Sequence, residues 1–96
     1  RVARAGALVV DAARGVAELG GTRLRLQPRE FELLFLLASH PGETLTREFL
    51  IENTSSYGRR VPTRSVDTHV KNLRRKLGRA GRMIVTAPKV GYRLEA

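Results

Sequence analysis

Ninety-six residues, 42% of them hydrophobic, suffice for one globular domain with one modest core. The chain holds no cysteine, which excludes disulfides and thiolate metal sites, and no apolar run approaches the ~18 residues of a membrane span. Formal net charge is +9, and all of it falls in the last two-fifths: residues 1–58 balance seven arginines against seven acids, whereas residues 59–96 set eleven basic residues against Asp67 and Glu95.

Such segregation points to a polyanionic partner. Nucleic acid suits it better than membrane, because the basic stretch lacks the Trp and Phe that interfacial helices favour. The chain starts at Arg1, not Met, and shows no signal peptide. The expectation is a piece of a longer cytoplasmic protein, with residues 1–96 forming one domain.

The first 26 residues read as strands. Ala7–Val10 is an apolar run, Asp11–Gly15 a turn, and Val16–Leu19 a second run closed by Gly20-Gly21, a hairpin signal. Thr22–Leu26 alternates, with Leu24 and Leu26 on one face and arginines on the other. Arg1–Ala5 adds an edge strand. The reading is an antiparallel sheet of three or four strands with one wet face.

Pro28 then suits the first turn of a helix, and Glu30 meets its dipole. Phe31–Ala38 is apolar almost all round, which predicts a central buried helix ended by His40-Pro41-Gly42. Glu43–Leu45 is a brief extended piece. Thr46 caps a short second helix through Ile51, with Phe49 and Leu50 facing the core. Asn53–Pro62 lacks periodicity and reads as a long loop.

Arg64–Leu77 is the most informative stretch. Val66, Val70, Leu73 and Leu77 recur at helical spacing as one narrow stripe. Arg64, Thr68, Lys71, Asn72 and Arg75 lie opposite, with Arg74 and Lys76 on the flanks. Thr63 is placed to cap this helix and Gly78 to stop it in the left-handed conformation. Met83–Thr86 and Tyr92–Leu94 form a hairpin through Ala87–Gly91, with Lys89 at its tip and Arg93 nearby. The order is sheet, three helices and hairpin, an α+β domain. Two helices joined by a loop, the second basic, fit a helix-turn-helix, and the hairpin fits a wing.

Three strings in this order resemble the effector domain of OmpR/PhoB-type response regulators. They are L-x-P-R-E-F-E-L-L-x-x-L-A-x-x-P-G from Leu26, R-S-V-D-T-H-V-K-N-L-R-R-K-L from Arg64, and I-V-T-x-x-x-V-G-Y-R-L from Ile84. The resemblance implies a winged helix-turn-helix with a four-stranded N-terminal sheet, three helices and a C-terminal hairpin wing. It implies sequence-specific binding of double-stranded DNA, with helix 64–77 in the major groove and wing 83–95 at the minor groove. It further implies a preceding receiver domain whose phosphorylation favours dimers on tandem half-sites, within a two-component system controlling bacterial transcription.

Carried over by position, Arg64, Asp67, Thr68, Lys71, Asn72 and Arg75 stand on the recognition surface, and His69 and Arg74 touch or flank the DNA backbone. The loop 53–62, with Tyr57, Arg59 and Arg60, matches a segment that meets RNA polymerase, and Tyr92 matches a wing tyrosine. Three positions depart from the pattern. Gln27 replaces a capping Thr. Thr54-Ser55-Ser56 stands where Trp is common. T-A-P-K-V-G-Y replaces T-V-R-G-x-G-Y, so Pro88 stands where the usual wing arginine would be and cannot make its contact, which leaves Lys89, one place along, to make it.

Asn72 can pair with adenine, and Arg64 or Arg75 with guanine. Lys71, Arg74, Lys76 and Arg79 suit phosphates. Asp67 can read a base or pair with Lys71 at i+4. Ser65, Asp67 and His69 point in different directions on one helix and cannot form a catalytic relay. Two histidines without cysteine make no metal cluster. Neither catalytic residues nor a cofactor are expected. Asn53-Thr54-Ser55 fits the glycosylation pattern, which a cytoplasmic chain does not use. The competing readings are a regulator lacking a receiver and an RNA-binding winged helix. The latter has only Tyr57 and Tyr92 to stack bases.

Overall fold

A computed structural model describes residues 1–55 and 61–96. Strands β1 (Val2–Ala5), β2 (Leu8–Asp11), β3 (Val16–Leu19) and β4 (Thr22–Leu24) form an antiparallel sheet in the order β1-β2-β3-β4. Helices α1 (Pro28–Ser39), α2 (Arg47–Glu52) and α3 (Arg64–Leu77) follow, with β5 (Leu45–Thr46) just before α2. Strands β6 (Ile84–Ala87) and β7 (Gly91–Leu94) close the chain as a hairpin. This is the expected α+β architecture, with the four-stranded version of the N-terminal sheet.

The core sits where three surfaces meet. Ala3, Ala5, Leu8, Val10 and Ala17 line the inner face of the sheet; Leu33, Leu34, Leu37 and Ala38 of α1 pack on it. Val66, Val70, Leu73 and Leu77 bury the whole predicted stripe of α3 against the far side of α1. Each such side chain contributes roughly 1.5–3 kcal/mol when fully removed from water. Leu50 of α2 is fully buried, whereas Phe49 is only half-buried. Phe31, Phe35 and Leu36 are also partly covered, so α1 is less enclosed than its composition suggests.

Local signals hold in part. The Thr46 hydroxyl accepts from the Phe49 N–H at 3.0 Å, the expected cap of α2. Glu30 reaches back to accept the Gln27 N–H at 2.8 Å, so a capping box forms with Gln27 in place of threonine. Thr63 does not cap α3. Its backbone is already helical (φ −59°, ψ −28°), and its side chain makes no capping bond. Instead the Ser65 and Val66 N–H groups bond the carbonyls of Pro62 and Thr63.

Gly78 has φ 62° and ψ −129°, outside the left-handed helical region and accessible mainly to glycine. The chain continues from it as a 3₁₀ helix, Gly78–Met83, so Met83 precedes β6 rather than opening it. The alternating run at 22–26 supplies only Thr22–Leu24 as strand.

The hairpin is part of a three-stranded sheet in the order β5-β7-β6, because Leu45 and Thr46 pair with Tyr92 and Gly91. The wing is thereby joined to the segment that opens α2. Among the described residues no helix is long and apolar enough to cross a membrane.

Candidate nucleic-acid interface

Burial of one stripe of α3 dictates what the other presents. Arg64, Thr68, Lys71 and Arg75 are exposed and succeed one another at helical spacing along the outer face. Arg74, Arg75 and Lys76 fall in the last turn, where cations complement the helix dipole. His69 and Asn72 are half-buried and line a surface hollow with Gln27, Pro28, Arg29 and Glu30 at the start of α1.

Three predicted site residues make contacts within the chain. The Arg74 guanidinium donates to the Ile84 carbonyl from Nε (3.1 Å) and Nη2 (2.6 Å), and to Thr86 Oγ1 at 2.8 Å. It thereby ties α3 to β6. Lys76 Nζ lies 2.6 Å from Glu30 Oε1, a carboxylate that is 2% exposed. A buried carboxylate requires such a cation. Arg93 pairs with Glu95, just past the end of β7.

Asp67 is held differently from the expectation. Its partner is not Lys71 at i+4. Asp67 Oδ1 accepts from Arg47 Nε at 2.8 Å and from the Tyr92 hydroxyl. Arg47 and Arg74 also lie over the Tyr92 ring, 5.1 and 5.6 Å from its centroid. Arg47 was not singled out in the sequence. Its partners lie 20 and 45 residues away, beyond any local pattern.

Burial pushes the Asp67 carboxyl up, but the hydrogen bonds from Tyr92 and Arg47 outweigh it and hold the group below its ordinary 3.8. Burial, then the Asp67 bond, raises the Tyr92 phenol. The Asp67 bond raises Arg47 in turn. A carboxylate depressed on folding contributes stability above its ordinary value and loses it as pH falls through the folded one. Thermal melts therefore show wild type above Asp67→Asn at neutral pH, with the gap closing below about pH 4. A gap unchanged down to about pH 3 would contradict the ion-pair assignment.

At the wing tip the Val90 N–H bonds the Ala87 carbonyl at 3.0 Å, with Pro88 and Lys89 between them. Lys89 has φ +65° and is the one non-glycine residue with positive φ among the described residues. Proline followed by a positive-φ residue is the pattern of a type II turn. The glycine of the T-V-R-G-x-G-Y pattern falls at this position, so the structure gives that glycine its reason. Lys89 is exposed, as is Val90 beside it. Tyr57, Arg59 and Arg60 lie outside the described residues. Among the described residues no group of three His, Cys, Asp or Glu could hold a metal ion.

The family model described as "Transcriptional regulatory protein, C terminal" matches residues 21–94. The transcriptional regulatory protein ResD of Bacillus subtilis is 43% identical over 89 residues, which cover 88% of this chain and 36% of ResD. The chain thus spans little more than a third of that relative. Among solved structures, the DNA-binding domain of CpxR from E. coli superposes with a TM-score of 0.86 at 34% identity, covering 100% of this chain and 97% of that one. The Klebsiella pneumoniae RstA DNA-binding domain, solved in complex with the RstA box, gives 0.83 at 30% identity, covering 99% and 97%.

Proposed function

We propose how this chain, which belongs to the family of transcriptional regulatory protein C-terminal domains, does its work: it reads double-stranded DNA by laying α3 in the major groove and the wing at the minor groove. The two-sidedness of α3 carries this reading. One stripe is fully buried, and the opposite one presents Arg64, Thr68, Lys71 and Arg75 to a polyanion. The likeness to a domain solved in complex with its DNA box supports double-stranded DNA as the partner. The family is one of regulators rather than enzymes.

Within this reading Arg64, Asn72 and Arg75 supply base contacts, and Lys71, Lys76 and Arg79 lie along phosphates. His69 flanks the backbone. Arg74 and Arg93 brace the wing rather than reach out from it, since their guanidiniums bond Ile84, Thr86 and Glu95. Lys89, one place beyond Pro88 at the usual arginine position, makes the wing's contact with DNA. In the full-length protein a receiver domain precedes this one, dimers occupy tandem half-sites, and loop 53–62, with Tyr57, Arg59 and Arg60, meets RNA polymerase in the cytoplasm.

The wing assignment is tested by Lys89→Gly. Releasing a positive-φ lysine, whose backbone costs roughly 1–2 kcal/mol, raises stability by up to ~1 kcal/mol after the entropy of glycine is deducted. The same change lowers DNA affinity and reduces the slope of log K against log salt by about one. Urea unfolding and fluorescence anisotropy at several salt concentrations measure the two effects. Higher stability with unchanged salt dependence would remove Lys89 from the interface.

A further inference from the structure

We infer that Arg47, Asp67 and Tyr92 form a clamp that sets the angle of the recognition helix against the wing, which makes Tyr92 a positioning residue for base reading rather than a phosphate contact. The inference rests on the DNA-binding reading above. Three elements meet at one carboxylate oxygen: Arg47 comes from the first turn of α2, Asp67 from the first turn of α3, and Tyr92 from β7. Tyr92 is 4% exposed, and its one O–H donor is committed to Asp67. Around it, the Arg47 N–H bonds the Val90 carbonyl at 3.4 Å, and Arg74 bonds Ile84 and Thr86 on the strand paired with β7.

The apolar stripe of α3 cannot do this alone. Val66, Val70, Leu73 and Leu77 fix which face of the helix is buried. Apolar packing is non-directional, so a helix can rotate slightly about its axis at little cost. Hydrogen bonds to a charged acceptor are directional and short. Asp67 adjoins Thr68 and lies one turn beyond Arg64, so a bond at Asp67 aims the outer stripe. Base reading needs placement to about 0.5 Å and 10–20°. Flexible lysines on phosphates tolerate more, and they read no sequence.

Tyr92→Phe removes the hydroxyl but keeps the ring that both guanidiniums lie over. Affinity for a duplex selected by the wild-type domain is expected to fall about tenfold, while affinity for a random-sequence duplex stays within about twofold. Arg47→Gln, which removes the other donor to Asp67 without emptying the core, gives the same split. Thermal melts confirm that both variants are folded at the binding temperature. An equal loss on both duplexes overturns the inference, since that marks a phosphate contact. No loss on either also overturns it, since the clamp is then a bystander. A wild-type domain with no preference among duplexes overturns the inference together with the DNA reading beneath it.

Discussion

Gly91→Ala lowers the unfolding free energy by about 3 kcal/mol, at the upper end of the usual cost of overpacking. A Cβ at Gly91 would lie 1.9 Å from the Leu45 carbonyl oxygen, 2.8 Å from its carbon and 2.9 Å from the Thr46 Cα. All three are backbone atoms, so no rotamer change relieves the clash. Relief requires β7 to separate from β5, and with it goes the register that pairs Leu45 with Tyr92. A domain of this size has roughly 5–14 kcal/mol in total, so the loss is a large fraction. Urea unfolding measures it. A cost below ~1 kcal/mol would mean that β5 is not held against the wing.

The second large effect separates two adjacent residues of α3. Asn72→Ala removes a side chain able to pair bidentately with adenine, and it costs roughly 1–3 kcal/mol of discrimination at one base position while random-duplex binding persists. Lys71→Ala weakens binding to every duplex alike and lowers the salt slope by about one. The structure separates them: Lys71 is exposed on the outer face, and Asn72 is half-buried beside the hollow at the start of α1. Affinities on the selected duplex and on random DNA, for both variants at several salt concentrations, measure the contrast. Matching behaviour of the two variants would overturn the division between base and phosphate contacts.

Much of this was legible in the sequence because it depends on local rules. The stripe of α3 is a periodicity, and all four of its residues are buried. The α2 cap is a side chain three residues from the N–H that donates to it. The order of sheet, helices and hairpin follows from turn residues between periodic segments. What was missed is in part local detail and in part contact between distant segments. Thr63 has the right chemistry for a cap, but the Pro62 and Thr63 carbonyls already close the first turn of α3. Gly78 signals a helix end without revealing the 3₁₀ segment that follows.

The pairing of β5 with β7 joins residues nearly half the chain apart, and two-residue strands carry no pattern of their own. The site shows the same division. The exposed cations of α3 follow from the helical wheel. Arg74, Lys76 and Arg93 are equally basic, yet Arg74 donates to the Ile84 carbonyl and the Thr86 hydroxyl, and Lys76 and Arg93 pair with Glu30 and Glu95. Charge composition counts all of these residues alike, and only the fold shows which contacts within the chain each of them makes.

Selection of bound duplexes from a random pool, followed by affinity of the winner against salt, tests the central claim most directly. A sequence reader enriches one motif, recurring about one helical turn (~10 bp) apart where two domains bind in tandem, and its affinity falls steeply with salt. Equal binding to every duplex, with the same salt dependence and no enriched motif, would contradict base reading by α3 and reduce its basic face to a generic polyanion surface.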